Sequence, residues 1–128
     1  MNFATRSIIC GRLTVHSRAS EMIDEAKQAI ARKARKHLCL LVLYGSEARG
    51  EATPESDIDL LVVLDDADPE LVRSLRDAVY DVMWERDFVR LISLHFISLA
   101  DFQMQKREGY SFIQNVEEEG VVLWQTIP

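Results

Sequence analysis

Two short motifs in this 128-residue chain carry residue types suited to chemistry on phosphates: Gly45-Ser46 and, after ten intervening residues, Asp57-Ile58-Asp59. Side chains alternate along an extended strand, so Asp57 and Asp59 are expected on one face with Ile58 turned to the core. Paired carboxylates suit Mg²⁺, which takes hard oxygen ligands and commonly binds one or two carboxylates together with substrate phosphates. Gly45 allows a close backbone approach to a ligand, while Ser46 brings a hydroxyl and an N–H to the start of a turn, where exposed amides favour anions. Asp-x-Asp alone says little: Asp66-Ala67-Asp68 is a second copy, assigned to a loop and a helix cap. The weight lies in the order of buried strand, Gly-Ser, connection, Asp-x-Asp and buried strand.

The flanking elements must hold these groups together. Leu38 to Tyr44 is an unbroken apolar run ended by Gly45, which reads as a strand covered on both faces. Residues 46–56 are polar and include Gly50 and Pro54, a connection with room for one short helical turn. Ile58 and Leu60 to Leu64 form a second buried strand that opens with Asp57. A parallel crossover usually needs a dozen or more residues, so an antiparallel pair is expected, with the glycine-serine corner beside the acids.

The remaining chain supplies cover. Ser20 is expected to cap a helix with Glu21, Asp24 and Glu25 in its first turn and Arg32, Lys33, Arg35 and Lys36 at its end. Its apolar stripe is Ile23, Ala26, Ile30 and Ala34. The basic cluster reads as a solvated helix end in preference to a nucleic-acid patch. Asp68-Pro69-Glu70 starts a second helix, carried by Leu71, Leu75, Ala78, Val79 and Val82 to about Trp84. Phe88 to Ile97 reads as a third strand, Ala100 to Glu108 and Ser111 to Glu119 as short helices, and Val121 to Trp124 as a closing strand after Gly120. Residues 1–16 show no clear period. The expectation is one α/β (α+β) domain over 1–128, with a mixed β-sheet flanked by helices.

Composition narrows the function classes. The formal charge of -6 argues against extended nucleic-acid binding, which needs many cations to displace counterions. Cys10 and Cys39 lie in apolar surroundings without metal spacing, so they are expected as buried thiols in a reducing compartment, with a disulfide less favoured. The apolar stretch after Arg6 is too short for a signal peptide, and no run approaches the ~20 residues of a membrane span. A cytoplasmic location is expected.

The string Gly45-Ser46-Glu47-Ala48-Arg49-Gly50, followed by Ser56-Asp57-Ile58-Asp59-Leu60-Leu61-Val62, resembles the signature of the polymerase-β-type nucleotidyltransferase superfamily. It is most similar to the smallest branch, the minimal nucleotidyltransferases (MNT). The ending Glu119-Gly120-Val121-Val122-Leu123-Trp124 resembles the close of those domains, and the likeness spans about residues 38–124. The resemblance implies a polymerase-β-like fold and Mg²⁺-dependent transfer of a nucleotide, usually AMP from ATP. It casts Asp57 and Asp59 as metal ligands and catalytic residues, and Gly45 and Ser46 as triphosphate binders. Arg49 would assist the phosphates; read from the residues alone, it could instead pair with Glu51 or Glu55.

One position departs from the family pattern. Many active members carry a third carboxylate on a later strand, and aligning residues 92–98 with that strand puts Ser93 in its place. The face of Ser93 also holds Val89, Leu91, His95 and Ile97, none of them acidic. Asp87 would substitute only if the backbone bends, and His95 is either a base or a packed ring. Similar MNT proteins act as antitoxins that adenylylate a tyrosine of HEPN-type toxins, which makes such a toxin the expected partner. The alternatives are an inactive antitoxin that works by binding, or a small-molecule nucleotidyltransferase of the antibiotic-modifying kind. A homo-oligomer stays open. Tyr110, Phe112 and Trp124 are candidates for a partner surface, with core packing as the default.

Overall fold

The computed structural model describes residues 17–126; Cys10 and the patternless residues 1–16 lie outside this range. The described chain runs α1 (Ser17–Ala34), a 3₁₀ turn (Arg35–His37), β1 (Leu38–Tyr44), α2 (Gly45–Arg49), β2 (Ile58–Leu64), α3 (Pro69–Glu85), β3 (Ile92–Ser98), α4 (Leu99–Arg107), α5 (Ser111–Glu119) and β4 (Val121–Gln125). The four strands form one sheet in the order β3-β2-β1-β4. β1 pairs antiparallel with β2 and with β4, and β2 pairs parallel with β3 through the α3 crossover. This is the mixed sheet expected from the sequence.

β1 and β2 are unbroken apolar runs because they are central and covered on both faces. One face packs Leu41, Leu43, Leu60 and Val62 with Ile23, Ala26 and Ile30 of α1 and Leu75 and Val79 of α3. The other packs Leu40, Val42, Leu61 and Val63 with Phe102 of α4 and Ile113 and Val116 of α5. The edge strand β3 alternates instead, with Ile92 and Ile97 buried and Ser93 and His95 exposed. Asp68 caps α3 as its sequence foretells, its carboxylate accepting from the Leu71 N–H at 3.1 Å with Pro69 in the first turn.

Two expectations need correction. α1 is already helical at Ser17, so Ser20 is not its cap and the acids fall beyond the first turn; Ala19 and Met22 extend the buried stripe backwards. β3 starts at Ile92, not Phe88. Between α3 and β3 the chain folds back, with Asp87 and Phe88 both left-handed (φ 55° and 53°) and the Phe88 N–H donating to Met83 O at 2.8 Å. Phe88 and Val89 thus look strand-like in sequence but stand exposed in a turn. Gly120 ends α5 as expected, with an ordinary φ of -69°. Glycine is required there for space, since a Cβ would run into Val116 O and Val42 Cγ1.

Candidate active site

The register of β1 and β2 sets Tyr44 opposite Asp59, so the residue after Tyr44 turns directly over that carboxylate. Gly45 makes the turn with a left-handed φ of +77°. A Cβ on Gly45 would collide with Asp59 Oδ2 and lie 3.3 Å from Asp59 Cγ. Gly45 and Asp59 therefore meet, as the short connection requires. Ser46 follows within α2, whose N-cap Tyr44 contributes no side-chain hydrogen bond to the first turn.

Asp59 is half-buried, and Asp57 is exposed one residue ahead of β2. Burial first, and the neighbouring Asp57 charge second, push the Asp59 carboxyl above its ordinary value, with Arg49 pulling the other way. The Asp59 charge, after burial, raises the Tyr44 phenol. A carboxylate whose ionisation is opposed by burial and by a neighbouring like charge creates a local demand for a cation. Among the described residues no group of three or more His, Cys, Asp or Glu side chains comes together to hold a metal. A pair of carboxylates such as Asp57 and Asp59 would suit an ion such as Mg²⁺ that completes its shell with water and phosphate oxygens.

Arg49 reaches two carboxylates, Nε to Glu51 Oε1 at 2.9 Å and Nη1 to Glu119 Oε2 at 3.2 Å. Its partners are Glu51 and the end of α5, not Glu55. Ser93 is the direct register partner of Asp59 across the parallel β2–β3 ladder, on the exposed edge. Asp87 sits in the bent turn but does not join Asp57 and Asp59 in a ligand group. His95 packs its ring on Phe112, with centroids 4.8 Å apart. Phe112 in turn meets Tyr44 edge-on at 5.5 Å. Of the aromatic candidates only Tyr110 is exposed, at 49%; Trp124 packs against the α1–α3 side of the core.

Two residues escaped the sequence reading. Glu47 and Arg90 are buried and form an ion pair at 2.8 Å. Arg90 is the single Asp, Glu, Lys or Arg from Phe88 to Ile97, a signal that was available. Nothing local marks Glu47, because its partner lies 43 positions away.

Comparison with known proteins accords with this geometry. The nucleotidyltransferase domain family matches residues 23–123, and the chain belongs to that family. It is similar to a Methanocaldococcus jannaschii protein that carries the provisional name of protein adenylyltransferase, with 34% identity over 102 residues, 80% of this chain and 94% of that protein. It is also 44% identical over 82 residues to a Pseudomonas fluorescens bifunctional uridylyltransferase/uridylyl-removing enzyme, a match to 64% of this chain but only 9% of the enzyme. Its fold resembles a toxin–antitoxin crystal structure with AMP-PNP (24% identity, TM-score 0.51, covering 80% of this chain and 74% of that one). A mutant of the MntA–HpeT toxin–antitoxin is similar to the same degree (23% identity, TM-score 0.51, covering 84% and 72%). At these identities the likeness is one of fold.

Proposed function

We propose that the domain binds ATP as its magnesium chelate and transfers AMP to a hydroxyl of a protein partner, in the manner of the antitoxin of a HEPN/MNT pair. The observation that carries this reading is the contact of the Gly45 backbone with the Asp59 carboxylate. It brings a phosphate-accepting corner and a cation-demanding pair of acids to one point. Gly45 leaves room for the Asp59 carboxylate beneath the corner, Ser46 offers its hydroxyl and N–H to the phosphates, and Asp57 and Asp59 hold the metal. Mg²⁺ bound there would neutralise phosphate charge and favour departure of pyrophosphate. The protein's share is positioning and electrostatics. Arg49 would add a positive charge to the phosphates by turning from Glu51 or Glu119.

The protein-directed activity is supported by the provisional name of the archaeal relative, and the toxin–antitoxin setting by the two fold neighbours. The test is to incubate the domain with α-labelled ATP, Mg²⁺ and a HEPN-type protein from the same organism. Label on that partner, lost with Asp57→Asn, is the expected result. If wild-type protein binds ATP but leaves the partner unlabelled, transfer is refuted. A second reading, a domain that silences its partner by binding alone, is favoured by Ser93 standing beside Asp59 where a third acid would serve.

A further inference from the structure

We infer that Glu47 and Arg90 are a positioning pair, which locks the metal-ligand loop to the phosphate corner and so couples metal binding to nucleotide binding. The inference rests on the nucleotide site proposed above. Glu47 follows Ser46 directly in α2, and its side chain is 4% exposed against 7% for Arg90. Arg90 uses two nitrogens of its guanidinium: Nη2 donates to Glu47 Oε1 at 2.8 Å and Nε donates to Ser56 O at 2.6 Å. Ser56 O is the carbonyl immediately before Asp57. On the other side of Asp57, the Ile58 N–H donates to Leu91 O at 2.8 Å. Residues 90–91 therefore hold Asp57 from both flanks, while Arg90 also holds the neighbour of Ser46.

This matters because Asp57 lies outside the β2 ladder. The segment it ends, 51–57, is tied to α2 at its start, where the Glu51 N–H donates to Ser46 O at 2.9 Å and the Glu51 carboxylate accepts from Arg49. Further on it has a local turn in which the Ser56 N–H donates to Thr53 O and Ser56 Oγ accepts from the Thr53 N–H. Without the Arg90 fork, the Asp57 end of that segment loses its side-chain tie to α2. A planar guanidinium spans two acceptors in fixed geometry, which a lysine ammonium does not. Stability alone is a poor reason for such a pair. Replacing a buried ion pair by apolar side chains is often neutral, whereas removing one partner is strongly destabilising because a charge is left buried.

That contrast selects the test. The variants are the double replacement Glu47→Leu with Arg90→Met, which orphans no charge, and the single Arg90→Lys. ATP is titrated calorimetrically into each full chain in EDTA and again in Mg²⁺, with Tm recorded alongside. The double variant is expected to stay folded and to bind ATP in EDTA about as wild type does, while its gain in affinity from Mg²⁺ falls by about tenfold, within the usual range of coupling between two sites. Arg90→Lys is expected to lose part of that gain, and it decides the matter if the double variant fails to fold. An undiminished Mg²⁺-dependent gain in the folded variants overturns the inference, since a merely structural pair would move Tm and not the coupling. If the wild-type chain shows no ATP binding in Mg²⁺, the nucleotide site itself is refuted, and the coupling with it.

Discussion

The backbone of Gly45 lies against the carboxylate of Asp59, with no room between them for even a methyl group. Gly45→Ala is therefore expected to abolish ATP binding and to destabilise the fold by roughly 1–3 kcal/mol, from the left-handed backbone and the clash together. Gly50→Ala is the matched control. Its φ is +75° but nothing lies within 4 Å of its Cβ position, so it should cost about 1 kcal/mol and leave ATP affinity intact. Thermal unfolding and ATP titration of both variants read this directly. Equal ATP affinities would mean that the close approach is irrelevant to the site.

Asp57 and Asp59 should show a conflict between function and stability. Asp59 is half-buried beside a second negative charge, so without a bound cation its ionised form opposes folding near neutral pH. Asp59→Asn is expected to raise Tm by roughly 2 °C while removing AMP transfer. Added Mg²⁺ should stabilise wild type more than the variant. A variant less stable than wild type in EDTA would show that the carboxylate serves the fold instead.

Acid should loosen the helical layer over the sheet. The Arg86 guanidinium donates to Glu25 at 2.6 and 3.0 Å and to Glu21 at 3.2 Å, joining the end of α3 to α1. The hydrogen bond from Arg86 holds the Glu25 carboxyl below its ordinary 4.5. A depressed carboxyl contributes stability that is complete above the unfolded value and fades as pH falls through the folded one. The loss should thus begin near pH 4.5 and continue below it. The groups are exposed, so the effect is small and weakened by salt. Urea midpoints between pH 6 and 3 should fall less steeply in Arg86→Met than in wild type; parallel curves would refute the assignment.

The sheet's centre and the heart of the candidate site were legible in the chain itself. β1 and β2 are covered on both faces, so each appears as an unbroken apolar run, and the short connection between them leaves only an antiparallel pairing. Those two facts already bring Gly45 to Asp59. The start of β3 was not legible, because Phe88 and Val89 have strand-like side chains yet belong to a turn set by the left-handed Asp87 and Phe88. Propensity there yields to the hydrogen bond that returns the chain to Met83. Glu47 was hidden for another reason. A charged residue in a polar connection is expected in water, and only the arrival of Arg90 from beyond α3 makes its burial tolerable.

Ser93 offers the sharpest discrimination between transfer and mere binding. It is in register with Asp59 on the neighbouring parallel strand, and both residues lie on the strand face that carries Leu61, Val63 and Ile97 into the α4–α5 side of the core. An acid introduced at 93 would stand beside Asp59, adding the negative charge needed to hold a cation at the acceptor hydroxyl and to draw off its proton. The position is exposed, so Ser93→Asp should fold with Tm lowered by no more than a few degrees. Labelling of the protein partner from α-labelled ATP should rise, by about tenfold or more if general base assistance is what the serine lacks. His95→Ala, two residues along the same face but stacked on Phe112, should leave that labelling unchanged. Should Ser93→Asp bind Mg²⁺ no better than wild type and transfer no more AMP, the serine does not occupy a third carboxylate's place.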